Sequence, residues 1–442
     1  MVIPMSTFTG FLCFLLPLAI GLTFPLQVIY GSSMAGASSL MLLLLLIVAS
    51  LFTKPIKRPC ISKNKRSTLW DLLVCAFVYL SFLHIPISWI AFGLESFSGS
   101  LSALYLAAQA GLMYLYFSRK ASEREINSFF VGMVTMGVVS GAFFLFESFN
   151  KLALGQITEY TLRAHEYTLA SLGLDQGIND FRVNVNYRSM GLLERHSTSA
   201  LWIALGFFAY LFLSNERSKM HNAFTFTLLA LLIVQNFTAI IVFLLVSIIL
   251  HHRIIKFRPL FIFVLALTLL LFLIDSDNMI TFLANVSYVM QSQLATVFTV
   301  QIELSGTSYF SMVLTEFIRY GYEVYERPYQ LLLGFGVGTN PFYGTSGDVG
   351  FIESMMRIGI PLWIFLTWKI FRLMRSAVSA GRSGCLYTYE NYNARLIVVS
   401  AAVLSSIWLM DVHYSAWIYK STWPIMFFAM ALARRVRWQG DK

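Results

Sequence analysis

What most constrains this chain is a succession of apolar runs, each near the length a helix needs to cross a lipid bilayer, separated by short polar links. A spanning helix takes roughly 20 mostly apolar residues, because each residue rises about 1.5 Å and the hydrocarbon layer is about 30 Å thick. Such runs cover 7–27, 34–53, 69–87, 100–118, 126–147, 196–214, 223–235, 237–251, 259–275, 351–371, 394–412 and 417–434. Only 12% of the 442 residues are charged, 57% are apolar, and the mean hydropathy is +0.69. Soluble domains carry about 25% charged residues, so this chain cannot build a water-facing shell, and a soluble multidomain protein is excluded. The expected fold is all-α: a polytopic integral membrane helical bundle of about 12 transmembrane helices, one membrane domain over 1–442. The first run has no Lys or Arg before it and no small-residue cleavage site, and reads as a retained helix.

The formal charge of +10 is informative through its placement. Basic residues cluster at 54–66, 119–124, 217–219, 253–258, 369–382 with Arg395, and 434–442. The segment 223–251 has enough residues for one long helix or for two short legs turning at Gln235, Asn236, Phe237 and Thr238. A hairpin puts every cluster on one side, which the positive-inside rule makes the cytoplasm; a single helix sends the later clusters outside. The hairpin reading gathers 23 of the 32 basic residues but six of the 22 acidic ones inside, and leaves both termini cytoplasmic. Two segments then lie outside: a smaller periplasmic loop at 148–195 and a large one at 276–350, in which 279–300 and 307–325 carry apolar residues at helical spacing. Two or three helices at the outer membrane interface are expected there.

Nine basic residues run against that bias: Lys151, Arg163, Arg182, Arg188, Arg195, Arg319, Arg327, Arg357 and Lys420. Pairing with outer carboxylates accounts for any one of them. Arg188, Arg195, Arg319, Arg327 and Arg357 differ as a group, because they fall near the ends of spans six and ten or in the helical part of the large loop, where a bundle can gather them. Guanidinium forks in a low-dielectric site suit a phosphate or pyrophosphate oxyanion. Of the histidines able to reach an outer site (His84, His165, His196, His413), His196 follows Arg195 at the mouth of span six and has the strongest claim to proton work. Asp348, Glu353 and Asp411 sit at the edges of apolar spans, where ionisable groups are costly and often functional. Asp411, His413 and Lys420 make a polar knot that a helix cap or an ion pair explains equally well.

The stretch 332–350, LLLGFGVGTNPFYGTSGDVG, has glycines spaced GxGxG, follows no strand and is expected outside, so neither a Walker nor a dinucleotide loop fits. It reads as an anion-tolerant backbone turn leading into span ten. No HExxH, GxSxG, paired-aspartate metal motif or P-loop occurs, and no metal or other cofactor is expected. Cys13, Cys60, Cys75 and Cys385 have no CxxC spacing and imply neither disulfides nor zinc.

Two segments resemble the bacterial O-antigen and exopolysaccharide polymerases (Wzy) and the related O-antigen ligases. NYRSMGLLERHSTSALWIALG (186–206) is similar to their Arg-x-x-Gly segment leading into a span, with Arg188 and Gly191 at the matching places and His196 where a polar Asn or His is found. ERPYQLLLGFGVGTNPFYGTSGDVGFIESMMRIGIPLWIF (326–365) resembles their Gly-x-Gly stretch, polar residue, amphipathic lead-in and Gly-Ile-Pro turn. The chain departs from that pattern where Gln235 and Asn236 replace a Ser-Arg pair, where no arginine stands near Tyr309, and where Asp348 occupies the neighbourhood of the ligases' histidine. The resemblance favours polymerase over ligase. It implies a GT-C-like bundle in the bacterial inner membrane. It also implies metal-independent, inverting glycosyl transfer, in which a hydroxyl of one undecaprenyl-pyrophosphate-linked repeat attacks the anomeric carbon of the growing chain. Partners would be lipid-linked glycans, membrane lipids and the pathway's chain-length regulator and flippase, with no nucleic acid. Under that resemblance the five arginines hold the pyrophosphate and His196 or Asp348 accepts the proton. The rivals are transfer of glycan to lipid A-core and transport; a transporter calls for ionisable residues at mid-span, which are nearly absent here.

Overall fold

The computed structural model describes residues 5–30, 37–52, 65–92, 97–154, 158–171, 191–193, 196–214, 216–234, 236–251, 309–334, 350–382, 392–412, 419 and 421–436. Among these, all regular structure is helical. In chain order the helices are α1 (Met5–Gly21), α2 (Thr23–Tyr30), α3 (Ser38–Leu51), α4 (Lys65–Phe92), α5 (Phe97–Arg119), α6 (Glu123–Leu154), α7 (Glu159–Ser171), α8 (His196–Leu213), α9 (Arg217–Val234), α10 (Phe237–His251), α11 (Tyr309–Glu326), α12 (Gln330–Leu333), α13 (Gly350–Ile358), α14 (Ile360–Arg382), α15 (Tyr392–Met410) and α16 (Trp423–Arg435).

Among the described residues, four helices are long and apolar enough to cross a membrane, at Leu69–Pro86, Glu123–Asn150, His196–Leu213 and Tyr392–Met410, and the number rises to six if each of two bent pairs is one span. Lipid-facing sides are visible as rows of exposed apolar side chains, such as Met41, Leu44, Leu45, Val48 and Leu51 on α3 and Ile241, Leu245 and Ile248 on α10. The described part of the chain is thus all-helical and of multi-pass membrane type. Among the described residues the expected count of twelve spans is not reached. The 259–275 run lies outside the described residues, Ser38–Leu51, Ser218–Val234 and Thr238–Leu250 are too short to cross unaided, α5 and α16 on the 100–118 and 417–434 runs fall short in hydropathy or length, and two other runs are bent.

The bends have a common cause. Proline lacks an N–H and its ring collides with the carbonyl four residues earlier. Pro25 does this to Gly21, and α1 meets α2 at 57°; Pro361 does it to Arg357, and α13 meets α14 at 118° with Gly359 at φ +78° between them.

The 223–251 segment is a hairpin. Phe224 of α9 and Phe243 of α10 stack with ring centroids 5.2 Å apart, whereas a continuous helix would hold them roughly 28 Å apart at about 1.5 Å per residue. Asn236 Oδ1 accepts the Ala239 N–H at 2.8 Å and caps the start of α10.

α8 is enclosed on nearly every side by α6, α15, α9 and α10. It meets α6 backbone to backbone: a Cβ on Gly137 would lie 3.0 Å from both Gly206 Cα and the Trp202 carbonyl. Such small-residue crossings let helices gain van der Waals contact where lipid offers no hydrophobic drive between them. Aromatic rings fill the remaining seams, with Phe117, Phe129, Phe130 and Phe212 converging on Phe428 of α16 or on one another.

Polar ties mark one end of the bundle. Arg434 binds Asp71 through Nε at 2.6 Å and Nη2 at 3.0 Å, Tyr114 donates to Asp71 at 2.8 Å, Arg435 donates to the Phe117 and Ala121 carbonyls, and Arg395 Nη2 reaches the Ser214 carbonyl at 3.3 Å. These contacts bring together the starts of α4, α6 and α15 and the ends of α5, α8 and α16, along with the basic groups at 119–124, 395 and 434–435. The opposite end therefore carries His84, Glu147, His196, Asp411 and the α13–α14 bend.

A candidate anion site at the α11–α14 bend

α11 is amphipathic. Val313, Tyr320 and Val324 pack on Ile352, Met355 and Met356 of α13, while Ile318, Tyr322 and Tyr325 on the other face are exposed. This seat brings two pairs of opposite charges together. On α13, Arg357 Nε and Nη2 donate to Glu353 Oε1 at 3.0 and 2.7 Å, one turn apart on the same face. The pair is largely shielded, with side chains 7% and 14% exposed. On α11, Glu316 lies within electrostatic range of both Arg319 and Glu353. Partial burial raises the Glu316 carboxyl above the ordinary glutamate range, Glu353 raises it further, and Arg319 opposes both. Burial also raises the Tyr320 phenol beneath them.

Arg327 follows α11 directly and is half-buried; its carbonyl accepts the Gln330 N–H at 3.0 Å as α12 begins. α12 stops after one turn at Gly334, whose φ of +70° only glycine adopts readily. A Cβ on Gly334 would collide with the Arg357 carbonyl, the one Pro361 leaves without its helical N–H, and would stand 2.6 Å from Gly359 N. In return a Cβ on Gly359 would collide with the Leu332 carbonyl. The two left-handed turns are thus interlocked, and the bend that ends α13 is fixed by the turn that ends α12.

Of the sequence-expected residues, the fold brings Arg319, Arg327 and Arg357 into one module, α11 to α14. His196 opens α8, whose main neighbours are α6, α15, α9 and α10, at the same end of the bundle as the α13–α14 bend. Arg188, Arg195 and Asp348, like His413 and Lys420, lie outside the described residues. So does most of the large loop, where the expected helix at 279–300 falls, while α11 matches the one expected over 307–325. α6 continues to Leu154, into the segment expected as the smaller outer loop, and α7 follows within that segment. α7 is pinned there by Glu147, which accepts the hydroxyls of Thr158 and, at 2.7 Å, Thr161.

Sequence reasoning grouped the arginines and singled out Glu353, but did not match Glu353 to Arg357 or Glu316 to Arg319. The signal was present as Glu316 three residues before Arg319 and Glu353 four before Arg357. It also left Gln330 unremarked, which is buried beside the bend. Among the described residues, no three His, Cys, Asp or Glu side chains form a group that could hold a metal ion. The arrangement is an electrically balanced cluster of two guanidiniums and two carboxylates at a bundle end. It is equipped to bind an oxyanion by exchanging one carboxylate partner for another, or to hand a proton to a raised glutamate. No family model matches this chain, and no curated protein and no solved structure matches it either.

Proposed function

We propose that the chain is a polysaccharide polymerase of the bacterial inner membrane, a GT-C-like enzyme with both termini in the cytoplasm. It would join undecaprenyl-pyrophosphate-linked oligosaccharide repeats of an O-antigen, capsule or exopolysaccharide at the periplasmic face. The observation that carries this reading is the placement of Arg319 and Arg357, with Glu316 and Glu353, at the bundle end opposite the basic ties of Asp71, Arg434 and Arg435. The positive-inside rule assigns the basic end to the cytoplasm, which leaves the cluster facing the compartment where lipid-linked repeats are polymerised.

The chemistry needs little from the protein beyond position and charge. The acceptor hydroxyl forms a bond to the anomeric carbon of the growing chain as the bond from that carbon to the pyrophosphate oxygen breaks, and the hydroxyl proton leaves to a base. Negative charge builds on the departing pyrophosphate. Arg357, shielded from water and held by Glu353, is preorganised to receive it, with Arg319 and Arg327 on the same module. His196 and Asp348 remain the proposed proton acceptors, and Glu316, with its raised carboxyl, joins them.

Separate Arg319→Ala and Arg357→Ala replacements in the native host, with surface polysaccharide resolved on a gel, test the reading. Each change should cut long-chain product on the order of a hundred-fold, as removal of one charge-stabilising donor does. Normal ladders in both variants at normal protein level would refute it.

A further inference from the structure

The cluster lies on α11 to α14, and one side chain reaches it from the far side of the sequence. His84 of α4, almost wholly buried, has Nε2 at 2.9 Å from the Leu333 carbonyl and 3.0 Å from the Gly334 carbonyl. Both partners are acceptors, so Nε2 carries the proton and donates a shared hydrogen bond to them. These carbonyls close α12, the turn that interlocks with Gly359 and abuts the Arg357 carbonyl.

We propose that His84 is the positioning residue for Arg357, a latch that holds the α12 turn against the bundle and through it fixes the bend that presents the guanidinium. The chain of contact is short and rigid: imidazole to the Leu333 and Gly334 carbonyls, Gly334 backbone to the Arg357 and Gly359 backbone, and Arg357 to Glu353. No side chain intervenes at the two glycines, so a shift of the α12 turn passes to the bend undamped. α4 and α14 also pack together, which gives the latch a fixed base. This assignment rests on the reading that Arg357 binds the oxyanion.

The test uses the full-length protein in lipid nanodiscs and three variants, His84→Leu, His84→Gln and Gly359→Ala, read by amide hydrogen exchange and by the polysaccharide ladder in the native host. Leucine removes the donor. His84→Leu should speed exchange of the 331–334 and 357–360 amides about ten-fold while α8 stays protected, and cut long-chain product on the order of ten- to a hundred-fold. Glutamine can donate an amide N–H to the same carbonyls and should restore most of both. Gly359→Ala should reproduce the loosening with His84 intact.

Unchanged exchange in His84→Leu overturns the latch. So does faster exchange with a normal ladder, or a His84→Gln variant as impaired as His84→Leu while α8 remains protected. If α8 loosens in His84→Leu, the folded Gln variant alone decides. Should Arg319→Ala and Arg357→Ala both leave the ladder intact, the function reading fails while the exchange result still stands or falls alone.

Discussion

Replacing both members of the Arg357 and Glu353 pair separates what the pair does for stability from what it does for chemistry. The two side chains are 7% and 14% exposed and share a two-point contact at 3.0 and 2.7 Å. Removing one partner of a buried pair strands the other charge, at a cost of about 3–5 kcal/mol. Glu316 and Arg319 lie nearby and offer partial compensation, so Arg357→Met alone should cost about 2–4 kcal/mol. The double change Glu353→Leu with Arg357→Met leaves no stranded charge and extends the apolar cluster of Ile352, Met355 and Met356, so its stability should return to within about 1 kcal/mol of the native protein. Denaturant unfolding of purified protein, followed through its nine tryptophans, gives the stabilities; the ladder gel gives function. The expected pattern is a weak single variant, a stable double variant, and short-chain product from both. A stable double variant with a normal ladder would refute the oxyanion role, and a single variant as stable as the native protein would refute the electrostatic coupling.

Four further outcomes follow from the packing and the charges. Gly321 lies in α11 with open space around its Cα, so Gly321→Ala should stabilise by about 0.5–1 kcal/mol, whereas Gly137→Leu should abolish accumulation of folded protein because the crossing with Gly206 has no room; both are read by denaturant unfolding and membrane protein level. Asp71→Asn keeps the shape of a site bound by Arg434 and Tyr114 but loses its charge, and should lower stability by about 1–3 kcal/mol in the same unfolding assay. Glu316 holds its proton to higher pH in the folded protein than in the unfolded chain, so its contribution is full below the ordinary value of 4.5 and fades as pH rises through the raised folded value; Glu316→Gln should remove that slope from a series of unfolding midpoints.

Much of the architecture could be read from the sequence because it follows from charge and length. The parity of basic clusters called for a hairpin over 223–251, and α9 and α10 do pack side by side, with α10 capped by Asn236. The bends were equally written, in Pro25 and Pro361, yet apolar runs of spanning length masked them: hydropathy sums over a window and is blind to direction. The candidate site was half legible. Counting basic residues on the outer side found Arg319, Arg327 and Arg357, and the cost of a charge at a span edge found Glu353, but a count of one sign hides neutralisation, and the pairings with Glu316 and Glu353 needed helical spacing applied to both signs. The contact from His84 to Gly334 joins positions 250 residues apart through a backbone acceptor, which every residue type supplies, so no residue pattern could have announced it.

The crossing of α6 and α8 at Gly137 and Gly206 has a mechanical consequence. Two stiff rods touching backbone to backbone at one level cannot part there without losing that contact, but each can swing about it like an oar in its rowlock. Gly137 lies near the middle of α6. Spreading the His196 and Glu147 end to admit a bulky solute would therefore press the Phe212 and Phe130 end together, where rings already stand 4.5 Å apart. Stiffness at the closed end thus limits how far the other can open.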